Sequence, residues 1–225
     1  MNVIASLAVK AAYLELLPAF ERTSGEKIDT QWVGMADIRK RMLAGEVVDV
    51  VIGSSALIED LVNAGMLDSR TRTDIAQSGI GAAVRSGAPK PDLRTLDGFK
   101  NTLRAAKSVV YSSGPSGVYL AELFERLGMA DELKGKATQA PPGVLVGELV
   151  ARGEHELCFQ QLPELRQVKG IDYVDPLPAE VQVMTLFSGA VHSRSSQAKG
   201  GTAWLKHLAS REAQPVMRKH GLEPA

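Results

Sequence analysis

The sequence predicts an α/β fold of two lobes, each a mostly parallel sheet flanked by helices, and three observations carry that expectation. The first third alternates short apolar runs with amphipathic stretches, the pattern of strand–helix units that build a parallel sheet. One run, Asp49-Val50-Val51-Ile52-Gly53, is almost wholly apolar, as a strand covered on both faces must be. Two strand-to-helix junctions rich in small polar residues, at Ser6 and across Ser112-Ser113-Gly114-Pro115-Ser116-Gly117-Val118-Tyr119, fall in different halves of the chain.

The elements follow in order. Val3 to Ala5 reads as a short strand, and Ser6 as the N-cap of a helix whose apolar face is Leu7, Ala11, Leu14, Leu17 and Phe20. Pro18 is expected to kink that helix or open its last turn, and Thr23-Ser24-Gly25 to stop it. Ile28 to Val33 is the next strand, and Gly34-Met35-Ala36-Asp37 opens a helix carrying Ile38, Met42 and Leu43. Ser54 and Ser55 follow the apolar strand and start a helix through Leu57, Leu61 and Val62. A second unit begins near Gly79 with a strand over Ile80 to Val84, then a helix around Leu96 to Ala105. Ser108 to Tyr111 is a strand leading into the serine-rich junction, whose helix carries Leu120, Leu123, Phe124 and Leu127. Pro141-Pro142-Gly143 introduces a helix through Leu145, Leu149 and Val150. Leu157 to Gln160 and Ile171 to Val174 are strands, Val181 to Val191 is a long β-prone run, and two helices close the chain.

This order implies a first lobe of residues 1–80 with 188–225 and a second of 81–187, with the chain crossing near 79–84 and 182–190. Two crossings make a hinge, and a hinge makes a closing cleft. Ligands of such sheets bind beyond the carboxyl ends of the strands, where Ser6, Gly34 and Ser54 fall.

Bulk properties narrow the partners. The 225 residues hold 26 Lys+Arg and 26 Asp+Glu, a formal net charge of zero, which argues against a nucleic-acid grip or a polybasic membrane patch. No segment reaches the roughly 20 apolar residues of a membrane span, so no membrane insertion is expected. Met1 leads at once into the first strand, so no signal peptide is read; the compartment is periplasmic if a leader was removed and cytoplasmic otherwise. The single cysteine, Cys158, excludes an internal disulfide and a cysteine-built metal site and reads as a buried strand residue. The four histidines lack metal-ligand spacing, and no metal or cofactor is expected.

The junctions point to an anion. Free N–H groups and the positive end of a helix macrodipole meet where a strand gives way to a helix, so a glycine- and serine-rich turn there can hold negative charge without a paired cation. The expected ligand is therefore a small anion.

The order of these stretches resembles the type II solute-binding fold of bacterial ABC transporters, in the molybdate-binding branch that includes aconitate isomerase-like members. The stretches that carry it are Ala5-Ser6-Leu7; Ile38 to Glu46 followed by Asp49-Val50-Val51-Ile52; Pro115-Ser116-Gly117-Val118-Tyr119; Gly170-Ile171-Asp172 through Pro176 to Glu180; and His220-Gly221-Leu222-Glu223-Pro224. The resemblance implies a cleft that holds an anion through two serines, backbone amides and a tyrosine. Ser6 matches the first serine and Ser116 the amide of the second lobe, with a further amide near Gly143 or Val144. The second serine falls near Gly34-Met35-Ala36 and the tyrosine at Phe159, so two hydroxyls are missing. Gln160, Gln161, Ser112, Ser113 and Ser116 supply other polar groups, and amides that both donate and accept suit a di- or tricarboxylate better than a bare oxyanion. The resemblance also implies an ABC transporter membrane component as partner.

Each candidate has a plain structural alternative. Ser6 reads equally as a helix cap, and Ser113, Ser116 and Gly117 as a tight turn. Gly34 and Met35 open a helix, and Met35 packs or touches ligand. Arg39, Lys40 and Arg41 read as a solvated face. Arg85 is the better cation to reach an anion, and His192 the one histidine to test as a base. For an isomerase no base is evident: no Glu or His lies within the loop motifs, and the catalytic residues are left unassigned.

Overall fold

The computed structural model describes all 225 residues. In chain order it runs β1 (Asn2–Ser6), a 3-10 turn (Leu7–Val9), α1 (Lys10–Ser24), β2 (Asp29–Val33), α2 (Met35–Leu43), β3 (Val50–Ser54), α3 (Ser55–Asn63) and β4 (Thr73–Ser78). It continues with β5 (Ile80–Arg85), α4 (Leu96–Ala105), β6 (Val109–Tyr111), α5 (Pro115–Arg126), α6 (Ala130–Leu133), β7 (Ala137–Gln139), α7 (Val146–Ala151), β8 (Leu157–Gln161), α8 (Leu162–Leu165) and β9 (Ile171–Pro176). It closes with β10 (Thr185–Val191), α9 (Ala198–Leu208), α10 (Gln214–Lys219) and β11 (Glu223–Pro224). The chain divides into two compact units, Met1–Ser78 with Thr185–Ala225, and Gly79–Met184.

The first unit is built on a six-stranded sheet in the order β11-β4-β10-β3-β1-β2. β1, β2 and β3 are parallel, and β10 runs antiparallel to both β3 and β4. The second unit holds a five-stranded sheet in the order β7-β6-β8-β5-β9. β6, β7 and β8 are parallel, and β5 is antiparallel to β8 and β9. Each sheet is thus mixed, with a parallel trio of strands. Within a trio all carboxyl ends lie along one edge, so three strand-to-helix junctions gather there in each unit.

β3 is buried at every position, as its apolar composition demands. Apolar clusters cover each sheet on both faces. In the first unit Tyr13, Phe20, Trp204 and Leu205 pack on one face, and Ile38, Met42, Ile58 and Leu61 on the other. In the second, Phe99, Leu120, Phe124 and Phe159 oppose Val110, Val146, Cys158 and Leu165.

Two local expectations give way. The buried face of α1 is Ala12, Tyr13, Leu16 and Phe20, while Leu14 is 46% exposed. The 3-10 turn at Leu7–Val9 has three residues per turn, so α1 starts in a different phase from a helix counted from Leu7. Tyr13 then anchors the phase, its hydroxyl 2.6 Å from that of Thr30 and its ring 4.7 Å from Trp204. Pro18 lies inside α1 and does not open its last turn, since the helix continues to Ser24. It sits on the exposed face, where water can satisfy the carbonyl its missing N–H leaves open.

The β-prone run beginning at Val181 is a strand only from Thr185, and Val181 closes a 3-10 turn. Gln182 explains the delay. Its amide Oε1 accepts the Ile80 N–H at 2.9 Å, and its Nε2 donates to the Ile80 carbonyl at 2.9 Å. A side chain thus occupies the ladder position that a further strand residue would have taken.

Candidate functional site

At the carboxyl edge of the first unit's parallel trio, Ser6, Gly34-Met35 and Ser54 end β1, β2 and β3. Both serines are buried, with 5% and 8% exposure, so neither is an ordinary surface hydroxyl. Ser6 Oγ accepts the Ala8 N–H at 3.3 Å, and Ser54 Oγ accepts the Leu57 N–H at 3.3 Å. Each hydroxyl caps its helix and retains its own proton to donate. Gly34 is the N-cap of α2 and offers no side chain, which leaves the first-turn N–H groups without a side-chain cap. Met35 fills the space between neighbouring junctions, its Sδ 3.4 Å from the Ser54 nitrogen. It packs against both apolar clusters of this unit.

At the corresponding edge of the second unit lie the junctions after β6, β7 and β8. Ser112 and Ser116 are buried and share a 2.8 Å hydrogen bond. Ser113 and Gly114 are half-buried. α5 begins with a proline, which has no N–H, and its N-cap Gly114 provides no side-chain acceptor. The turn folds tightly over the helix start, and a Cβ on Gly117 would lie 1.5 Å from the Ser112 carbonyl oxygen. Only glycine permits that approach. Gln139 Nε2 donates to the Ser112 carbonyl at 3.3 Å, tying the β7 end to this loop. Beyond β7, Pro142 and Gly143 occupy the middle of a turn closed by the Val144 N–H on the Pro141 carbonyl at 3.3 Å. Gly143 has φ +80°, the left-handed value its turn position needs.

The end of β8 differs from the expectation of ligand-facing amides. Phe159 is fully buried in the core, 5.8 Å from the Phe99 ring in edge contact. Gln160 points to the other face and is 2% exposed. Its Oε1 accepts the Val146 N–H at 2.9 Å, and its Nε2 lies 3.5 Å from the Val144 carbonyl, so it braces the start of α7. Gln161 is equally buried and is the N-cap of α8.

Glu164 is the group that the sequence reading missed. It is the third residue of α8, and its carboxylate accepts hydrogen bonds from the Gln160 side chain and the Gln161 backbone N–H. The second of these is the backward half of a capping box. Burial pushes its acid up to about 8, against which the two hydrogen bonds act only in part. The signal in the sequence was Gln161 followed three residues later by Glu164, a spacing hidden because Gln161 is not one of the hydroxyl residues that usually advertise a cap.

The sequence matches, over residues 1–223, the family described as bacterial extracellular solute-binding protein. The chain belongs to that family. Among curated proteins this solute-binding protein is 40% identical over 230 residues to an aconitate isomerase from a Pseudomonas species, covering 100% of this chain and 87% of the relative. The periplasmic molybdate-binding protein of Azotobacter vinelandii superposes with TM-score 0.81 at 15% identity, covering 99% of this chain and 98% of that one. The sulfate-binding protein of Mycobacterium tuberculosis H37Rv superposes with TM-score 0.80 at 19% identity, covering 100% and 86%. The fold is that of the two-lobe type II periplasmic binding proteins.

Other polar groups of this solute-binding protein lie elsewhere. His192 is next to Asp49, at the amino end of β3, and thus on the edge opposite Ser54. Its Nδ1 accepts the Arg194 N–H at 3.0 Å, and burial holds its basicity below the usual histidine value. Arg85 is displaced in the same sense. β5 pairs antiparallel with β8, Ile80 against Gln161 and Val84 against Leu157, so the strand carries Arg85 away from the carboxyl edge. It lines a groove of about 840 Å³ at the far edge, with Ala106, His155 and Leu157. Arg39 pairs with Asp60, and Arg41 with Glu46, as a solvated helix face should. Cys158 is buried and its thiol is pushed up to about 12 by desolvation, which makes it a packing residue. No helix is long and apolar enough to cross a membrane.

Proposed function

We propose that this protein binds a small di- or tricarboxylate, and that it interconverts double-bond isomers of that ligand. The observation that carries the reading is the composition of the second unit's carboxyl edge. It combines a helix start without a side-chain cap and a half-buried carboxyl, Glu164, whose burial favours the protonated form. A binder of bare oxyanions needs donors only, and an acid nearby works against it. A proton-transfer site needs both donors and an acid that can change state near neutral pH. The aconitate isomerase relative, matched along the whole chain, supports the same chemistry.

Binding without turnover is the second reading, favoured by membership of a solute-binding family. In that case the ligand is handed to an ABC transporter membrane component, and the compartment is the periplasm. Molybdate is disfavoured because Met35 and Phe159 stand where hydroxyl donors are needed, and Phe159 faces the core.

Thermal unfolding with molybdate, sulfate, succinate, citrate and cis- and trans-aconitate, followed by proton NMR of the aconitates with the protein, separates these readings. A ligand at 100-fold its Kd adds about 2.7 kcal/mol of stability. The proposal expects carboxylates alone to stabilise, and cis-aconitate to convert. Stabilisation by carboxylates without conversion selects the carrier. Stabilisation by molybdate alone overturns both.

A further inference from the structure

We propose that Glu164 is the proton carrier of this site, a catalytic residue that takes a proton from a methylene of the bound polycarboxylate and returns it two carbons along. The inference rests on the isomerase reading above and adds the residue that performs it.

Three features of the structure converge on this group. The first is its place. β6, β7 and β8 are parallel neighbours, so α8, which starts at the end of β8, opens on the same edge as the Ser112–Gly117 turn and the Pro142-Gly143 turn. The second is its company. The two named hydrogen bonds come from neutral donors, the Gln160 amide and the Gln161 N–H, and no ion pair includes Glu164. Gln160 is itself fixed at the start of α7, which locks the direction from which it donates. The third is partial burial: the residue as a whole is half-buried, not sealed in the core. The shifted acids of Glu15, Glu21, Glu46, Asp68, Asp92, Glu132, Asp172 and Glu212 move the opposite way, each stabilised as the anion by its donors. Glu164 alone among the shifted carboxyls is made a better base when ionised.

The step balances without any co-reactant. In a ligand with a methylene next to a carbon–carbon double bond, the Glu164 carboxylate removes one methylene proton. The C–H electron pair becomes the new double bond, and the old double bond's pair moves toward the carboxylate beside it. The Ser116 N–H is suited to hold that charge, since Pro115 has no N–H and the Gly117 and Val118 N–H groups are taken by the Gly114 carbonyl. Glu164, now protonated, delivers the proton to the former vinylic carbon. One C–H bond breaks and one forms, the double bond shifts by one carbon, and the carboxyl is regenerated as the anion. Return of the proton to the product restores the starting state.

Glu164→Gln is the decisive variant, because a glutamine oxygen still accepts the Gln161 N–H and keeps the cap. The proposal expects folded E164Q that is stabilised by cis-aconitate as the wild type is, with KM within threefold and kcat lower by about 10²-fold or more. Where the Glu164 carboxyl exchanges its proton with solvent before delivering it, wild type in D2O places deuterium in recovered aconitate, and E164Q is expected to lose that exchange. Glu164→Asp keeps a carboxyl one methylene back, and its rate is expected between the two. E164Q turning over within threefold of wild type overturns the inference and leaves the isomerase reading intact, with Glu164 as a cap only. E164D turning over at the wild-type rate also overturns it, and decides the matter should E164Q fail to fold. Wild type that binds cis-aconitate without converting it removes the isomerase reading and this inference together.

Discussion

The carboxyl edges of the two sheets are built on one plan and chemically unlike. In the first unit, Ser6 and Ser54 each accept an N–H of their own helix, which fixes the hydroxyl and leaves its proton to give. In the second, Ser112 and Ser116 are spent on each other, α5 has no side-chain cap, and Glu164 brings an ionisable group. The first edge therefore offers neutral donors held rigidly, the arrangement that positions a ligand. The second offers the Ser116 N–H at a helix start without a side-chain cap, and an acid, the arrangement that can alter one. A shared fold has supplied the donors twice, and local sequence has set a carboxyl of raised pKa, Glu164, beside only one of the two sets.

The largest effect should come from the turn that shapes the second edge. Gly117→Ala places a methyl 1.5 Å from a backbone carbonyl that cannot swing aside, so loop or helix start must rebuild. We expect a loss beyond the usual 0.5–3 kcal/mol of a point change, roughly 4 kcal/mol, with loss of stabilisation by any anion. Gly114→Ala is the control. Its methyl would meet only Ser112 Oγ at 3.9 Å, and its φ of −80° suits any residue. Its melting temperature should stay within a degree or two of wild type. Equal damage from both would mean that the loop is fragile rather than shaped.

The acid comes next. The folded chain holds a proton on Glu164 up to about pH 8, whereas an ordinary glutamate releases it near 4.5. Between those values the native state binds more protons than the unfolded one, so stability falls as pH rises, by at most about 1.4 kcal/mol per pH unit, and levels off above 8. His192 acts in the opposite sense. Its basicity is lowered by folding, so its contribution is lost as pH drops through the usual histidine range. Denaturant melts of wild type and E164Q at pH 5, 6.5 and 8 cancel the histidine. Their difference should grow in favour of E164Q toward pH 8, and a flat difference would mean that the carboxyl is solvated. The first unit's serines predict no such slope.

The first unit's parallel trio was legible in the sequence because strand, junction and helix recur within about 25 residues, and the apolar runs Val50–Ile52 and Val109–Val110 are buried completely. The sequence placed Ser6, Gly34 and Ser54 at strand ends, Ser116 in a strand-to-helix junction and Gly143 before a helix for the same local reason. What it could not show depends on contacts between distant residues. Arg85 ends β5, the strand that starts at Ile80, and only the antiparallel pairing with β8 reveals that it travels to the wrong edge. β7 and β11, three and two residues long, are too short for periodicity to register. The delayed start of β10 comes from one glutamine amide 102 residues from its partner. Glu164 was invisible because its environment, not its motif, makes it unusual.

The remaining tests separate core from site, and then one edge from the other. Phe159→Tyr adds a hydroxyl inside the packed ring cluster, and we expect about 1–3 kcal/mol of destabilisation with no gain in molybdate response. A molybdate-dependent rise in melting temperature in that variant would place the ring toward ligand after all. Ser6→Ala and Ser54→Ala each remove a helix cap worth about 1 kcal/mol. If those hydroxyls only cap, carboxylate stabilisation measured relative to each variant's own ligand-free melt stays at the wild-type value. If they also donate to the ligand, that increment shrinks in the alanine variants, while the kcat of the fraction that binds changes little, because a group that contacts ground state and transition state alike contributes to KM rather than to kcat. The opposite split, a fall in kcat at constant KM, would move the chemistry from the Glu164 edge to the serine edge and reverse the assignment of roles drawn from their comparison.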